Sequence, residues 1–131
     1  MVYFADLTEY NYLPYDSESP AYNIGWLDPA HEFQRWRAPT EFCQLLLYLT
    51  ITAKVHQTRG WHSCEFCAVE RDGGDDRRSS YEIRVVGEDG QVFLAPALIH
   101  HYVAAHGYRP PDVFVEAVHF QASKVRLFER R

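Results

Sequence analysis

Within the stretch RGWHSCEFC, Arg59 to Cys67, a histidine and two cysteines fall close together: His62, Cys64 and Cys67. Two cysteines with two residues between them can chelate a metal ion or cycle between dithiol and disulfide. The surroundings favour metal. A thioredoxin-type pair follows a buried strand and opens a helix, whose N-terminus lowers the first thiol's pKa. Here KVHQTRGWHS upstream holds no apolar strand run, and AVERDGG downstream is a poor helix former.

Zinc takes tetrahedral sulfur and nitrogen donors, and its structural sites are closed by four of them. Cys64 and Cys67 form one chelating half, and the second half must come from histidine, because Cys43 sits in an apolar run and reads as a core thiol. The segment HHYVAAH supplies His100, His101 and His106. The gap between His101 and His106 matches that of paired finger histidines, although an ideal helix sets them about 140° apart. They converge if the helix unwinds near Gly107. A second set combines His62, Cys64 and Cys67 with one helix histidine. A third arrangement leaves an open zinc position beside His62, which is a catalytic geometry.

Recognised catalytic patterns are missing. Zinc deaminases place His-x-Glu before Pro-Cys-x2-Cys, whereas here Glu65 lies between the cysteines and Ser63 precedes Cys64. The His-Glu-x2-His metalloprotease pattern is absent as well. A ββα-metal nuclease outline survives in YEIRVVGEDGQVFLAPALIHH, but its strands carry no histidine. An enzyme would need His62 or Glu65 as general base beside a metal-activated water.

The elements that must position these residues follow from periodicity. PTEFCQLLLYLTITA is helical, started by Pro39 or Thr40, with Phe42, Leu45, Leu46 and Leu49 on its inner face. YEIRVV alternates Tyr81, Ile83 and Val85 with polar residues, GEDG turns the chain, and QVFLA returns as the partner strand. PALIHHYVAAH is a helix with Pro96 in its first turn and Gly107 as its cap. RPPDVFVEAVHF starts another, with Phe114, Ala117 and Val118 inward and His119 at its end. SKVRLFERR is a last strand or an exposed tail. Near the start, VYFADL and YNIGWLD are extended segments separated by turn residues Pro14, Asp16, Ser17 and Pro20. His31 and His56 lie in polar connections and read as surface residues, while Trp26, Trp36 and Trp61 read as core or site lids. ERDGGDDRRSS is a polar loop.

The order of cysteine pair, loop, hairpin and histidine-bearing helix is that of treble-clef zinc folds, a likeness of fold only. The expected class is α+β, one domain over residues 1–131, with strands and a helix in 1–58 and a zinc-organised half in 59–131.

Composition narrows the function. A net charge of −5 disfavours a dedicated nucleic-acid binder, which needs a cation for each neutralised phosphate. The opening MVYFADLTEY lacks the basic region of a signal peptide, and the longest apolar run is too short to span a bilayer. With three cysteines that cannot all pair, these features point to the cytoplasm. The expected partner is another protein, and the expected cofactor is Zn2+.

RGWHSCEFC, YEIRV and APALIHHYVAAHGYRPP together resemble an uncharacterised family of small bacterial proteins. Its recurring pattern is Gly-Trp-His-x-Cys-x2-Cys followed by Leu-Ile-x-His-Tyr-x3-His-x-Tyr-x-Pro-Pro. The chain matches at Gly60, Trp61, His62, Cys64 and Cys67, and again at Leu98, Ile99, His101, Tyr102, His106, Tyr108, Pro110 and Pro111. The resemblance supplies no reaction. It implies that His101 and His106, rather than His100, are the helix residues that matter, with His62 kept as an alternate ligand.

Overall fold

The computed structural model describes residues 3–12, 20–57, 62–67 and 78–129, with the side chains of the last helix followed to Lys124. In chain order these form β1 (Ala21–Asn23), α1 (Thr40–Thr52), β2 (Lys54–Val55), β3 (His62–Ser63), a 3₁₀ turn (Glu65–Cys67), β4 (Arg78–Ser79), β5 (Glu82–Val86), β6 (Val92–Pro96), α2 (Ile99–His106) and α3 (Asp112–Glu129). The turn residues Pro14, Asp16 and Ser17, the pair Gly60–Trp61 and most of the polar loop after Cys67 lie outside the described residues. The fold is α+β.

The alternating apolar residues of YEIRVV and VFLAP build a hairpin that sets two layers. Ile83 pairs with Ala95 and Val85 with Phe93 across β5 and β6. These four side chains enter the main core with Phe42, Leu46 and Leu49 of α1 and Phe114 and Val118 of α3. Their strand neighbours Val92 and Leu94 point to the other face, where Tyr10, Ala21 and Trp26 cover them. The sheet order is β1-β6-β5-β2, with β1 parallel to β6 and the other pairs antiparallel. It therefore joins strands from both ends of the chain. A separate ribbon pairs β3 with β4, His62 facing Ser79. Among the described residues no helix is long and apolar enough to cross a membrane.

Three expectations change. Pro96 ends β6 and α2 begins only at Ile99, because Ala97 and Leu98 turn the chain first. SKVRLFE is neither strand nor free tail: α3 continues without a break to Glu129, so His119 lies mid-helix rather than at its end, and the final two arginines lie outside the described residues. Its residues carry no helix breaker, and Ala122 extends the buried stripe of Phe114 and Val118.

Candidate metal centre

The knuckle is a local construction. The 3₁₀ turn after Cys64 closes with the Cys67 amide donating to the Cys64 carbonyl at 3.2 Å, which turns both sulfur atoms toward one point. Cys64 is buried and belongs to the main core, while Cys67 is half-buried against it.

The opposing half is α2, whose Ile99, Tyr102 and Val103 are anchored in the core. At its start, Ile99 lies against the turn at Gly25, where φ is +77° and a Cβ would come within 2.8 Å of Ile99 Cδ1. At its end, Gly107 takes the left-handed conformation and donates to the Tyr102 carbonyl. The chain 34–36 then zips along 106–109. The Trp36 amide donates to Gly107 O at 2.9 Å, the Arg109 amide to Gln34 O at 2.8 Å, and Arg35 to the His106 carbonyl at 3.2 Å. Tyr108 Oη donates to Asp6 at 2.7 Å, which ties the same segment to the N-terminal strand layer.

These supports bring four donors together. Cys64 Sγ lies 3.4 Å from His106 Nε2, and Cys67 Sγ lies 3.4 Å from both His101 Nε2 and His106 Nε2. The two Nε2 atoms are 3.2 Å apart. All four atoms fall within 4.8 Å of one another. In a zinc tetrahedron with ordinary Zn–S and Zn–N bonds, sulfur and nitrogen sit about 3.6 Å apart and two nitrogens about 3.3 Å. The three sulfur–nitrogen separations of 3.4 Å and the nitrogen–nitrogen separation of 3.2 Å are close to those values. The group can hold one metal ion.

The helix does not unwind to achieve this. His106 is its last residue, and the two rings reach across the end of α2 through their distal nitrogens, with centroids 5.0 Å apart. Phe66 backs the centre, with its ring 5.2 Å from His106, 5.9 Å from Tyr102 and 5.6 Å from Phe33.

Electrostatics argue against the redox reading. Burial, helped by neighbouring Cys67, pushes the Cys64 thiol up to about 11, whereas reactive cysteines have lowered values. A metal ion bound between the two sulfur atoms would take the place of their protons. Burial, then the nearby Cys64, Glu65 and Cys67, raises the Tyr102 phenol too.

His62 stands apart from the four. It occupies β3 and its ring lies 6.5 Å from that of Tyr12. Glu65 is half-buried within the knuckle turn. His100 is half-exposed on α2. His31 is exposed, stacked on Tyr3 and 2.7 Å from Asp28. His56 differs from the surface role expected of it. Its Nδ1 lies 2.9 Å from the buried carboxylate of Glu82, which also accepts from Tyr10 at 2.8 Å, and its φ is +52°. No periodicity signals that contact, because it joins residues from three distant segments. Trp26 is buried and donates to Leu94 O, and Trp36 donates to Tyr108 O beside the centre. Cys43 is half-buried against the core, and burial raises its thiol.

A family model described as Domain of unknown function (DUF7919) matches residues 2–119. The chain belongs to the DUF7919 family. No curated protein and no solved structure matches it. The DUF7919 match takes in the knuckle, the hairpin and the whole of α2, and so all four donors.

Proposed function

We propose that this DUF7919 chain is a small zinc protein, one domain over its length, whose Cys64, Cys67, His101 and His106 hold a structural ion. It acts as a protein-binding or regulatory module. The approach of two Sγ and two Nε2 atoms to within 4.8 Å of one another carries the reading. Four protein donors complete a tetrahedral shell and leave no position for water, which is the arrangement of structural sites. An S2N2 set favours zinc over hard cations such as calcium and magnesium. The knuckle, hairpin and helix would then form a treble-clef-like unit, and the four donor positions of the bacterial Gly-Trp-His-x-Cys-x2-Cys pattern and its histidine half would have one shared purpose.

The protein partner is supported by the charge of −5, which complements a basic surface. It is supported also by Leu47 and Ile51, one helical turn apart on α1 and both exposed. Unpaired cysteines fit a reducing compartment, hence the cytoplasm. The alternative, a zinc-dependent hydrolase or nuclease, needs an open metal position and a base at His62 or Glu65. The position of His62 against Tyr12, outside the four donors, weighs toward the structural reading.

Metal analysis of tag-free protein tests the assignment, wild type against Cys64→Ser, His62→Ala, His101→Ala and His106→Ala. About one zinc per chain is expected in wild type and in His62→Ala, and substoichiometric metal in the other three. A fully folded, metal-free wild type overturns the reading. Metal lost from His62→Ala but kept by His106→Ala replaces it with the ligand set that includes His62.

A further inference from the structure

A cleft of about 650 Å³ opens between the segments 3–6, 27–34 and 109–112. That volume lies within the usual range of small-molecule sites. Backbone bonds fix its walls: the Phe4 amide donates to Trp26 O at 3.2 Å, and the Arg109 amide to Gln34 O at 2.8 Å. Tyr3, Phe4 and Phe33 line it, and each is only half-buried. None of the four metal donors lines it.

The charges in this cleft do not balance. Of its charged side chains, Arg109 and Asp112 face each other at 3.5 Å. Asp6 and Glu32 are left over, and neither has an ion pair among the described residues. Glu32 is exposed. Asp6 is half-buried, and its oxygens are bonded by neutral donors only, the Gly25 amide at 2.9 Å and the Tyr108 hydroxyl at 2.7 Å. A carboxylate withdrawn from water is ordinarily paired with a cation. Lacking one, the Asp6 carboxyl holds its proton above the usual value, since burial outweighs those two bonds.

Aromatic walls and carboxylates without a counter-charge are separate features, and both attract a cation. The same surface shows which cation suits its rings. The Arg35 guanidinium lies over Phe33, 4.4 Å from the ring centroid, and that of Arg109 lies 5.5 Å from the centroid of Trp36.

We propose that this cleft binds a guanidinium group, with Asp6 and Glu32 as its counter-charges and Tyr3, Phe4 and Phe33 as its aromatic walls. A planar guanidinium bonds a carboxylate through its fork while its face rests on a ring, and it is more weakly hydrated than an ammonium. It therefore enters a half-buried site at lower cost. The assignment does not depend on the metal centre, and it holds whether or not Cys64 and Cys67 carry an ion.

The test titrates acetyl-argininamide into the full chain as purified, beside acetyl-lysinamide and the neutral isostere acetyl-citrullinamide, and follows amide NMR shifts. The arginine compound is expected to bind saturably and to shift Phe4, Glu32, Phe33 and Arg109, and the citrulline compound not to bind. Asp6→Asn, which keeps an acceptor for the Gly25 amide, weakens binding about tenfold, the loss of one bond to a charged group. Glu32→Gln, at an exposed position, weakens it about threefold and remains informative if Asp6→Asn folds poorly. Glu41→Gln, an exposed acid on α1 that does not line the cleft, leaves it unchanged. A capped Ala-Arg-Ala tripeptide that outbinds butylguanidinium makes a partner's side chain the source of the group. The reverse order makes the source a free small cation, and both orders uphold the site. Absence of saturable binding overturns the proposal, as does binding unchanged in both cleft variants or weakened equally by Glu41→Gln. Lysine or citrulline binding as tightly as arginine overturns the guanidinium assignment.

Discussion

His101 and His106 project from α2 in directions that an ideal helix sets about 140° apart, yet their Nε2 atoms lie 3.2 Å from each other. The helix ends at His106 and the chain turns left-handed at Gly107, so no further turn stands between the two rings. Cys64 and Cys67 approach the same point from the knuckle. Four donors within 4.8 Å of one another, drawn from two segments, would let one ion clamp the knuckle to α2.

Removing the metal should loosen that clamp. Addition of a strong chelator to the zinc-loaded protein is expected to lower its melting temperature by at least about 10 °C, because binding energy at a structural site is folding energy. Zinc should restore it. Differential scanning calorimetry checks both directions, and an unchanged transition after verified metal removal would show that the fold does not depend on the ion.

Gly107→Ala should destabilise by about 1–2 kcal/mol, the cost of a Cβ in left-handed backbone. The added atom would also sit 3.2 Å from the Trp36 carbonyl, against a segment that the Trp36 amide anchors. Gly25→Ala should cost more, since its Cβ would meet Ile99 Cδ1 at 2.8 Å in a fully buried environment. Urea unfolding of the two variants ranks them, and the reverse order would contradict the packing described.

Phe66→Ala removes the ring that backs His106 and bridges Tyr102 to Phe33. Partial burial limits the stability loss to about 2 kcal/mol, below the range of fully buried phenylalanines. Zinc affinity should fall about tenfold, as for other groups that orient ligands from behind. Competition with a chromogenic chelator measures it.

Asp6 sets a pH dependence. Burial raises its carboxyl above 3.8, against the lowering effect of its bonds to Tyr108 and Gly25. The folded state thus keeps a proton that the unfolded chain releases. Its contribution is fully present below 3.8 and is lost as pH rises through the raised folded value. Asp6→Asn keeps an acceptor for the Gly25 amide and offers Tyr108 Oη a donor in place of an acceptor. The stability of wild type minus that of Asp6→Asn should therefore fall with rising pH across this window. Chemical unfolding at matched pH, in which effects common to both proteins cancel, tests the sign, and a flat difference would exclude Asp6 as its origin.

Local signals were legible where the determining contacts are local. Pro39 and the Phe42–Leu49 stripe marked α1, GEDG marked the hairpin, and Gly107 marked the end of α2. Signals failed where distant segments decide. Nothing in AYN announces a strand running parallel to β6, since that pairing joins residues about seventy positions apart. The extension of α3 through SKVRLFE was missed because its charged residues mask a buried stripe that begins at Phe114 and continues to Ala122. Asp6 carries no sequence signal at all, as an aspartate in VYFADL looks the same whether its carboxyl meets water or the hydroxyl of Tyr108.

The chain read alone already contains donors that one metal ion could use: two thiols spaced for one turn, and histidines on a short helix capped by glycine. Those are properties of residue type and near-neighbour geometry. Which histidines meet the cysteines is not, because Cys67 and His101 are 34 residues apart and closing that loop needs the sheet and α1 to hold α2 in place. Packing around Ile99, Tyr102 and Tyr108 brings His101 and His106 inward, while pairing with Ser79 holds His62 in its ribbon, outside the four.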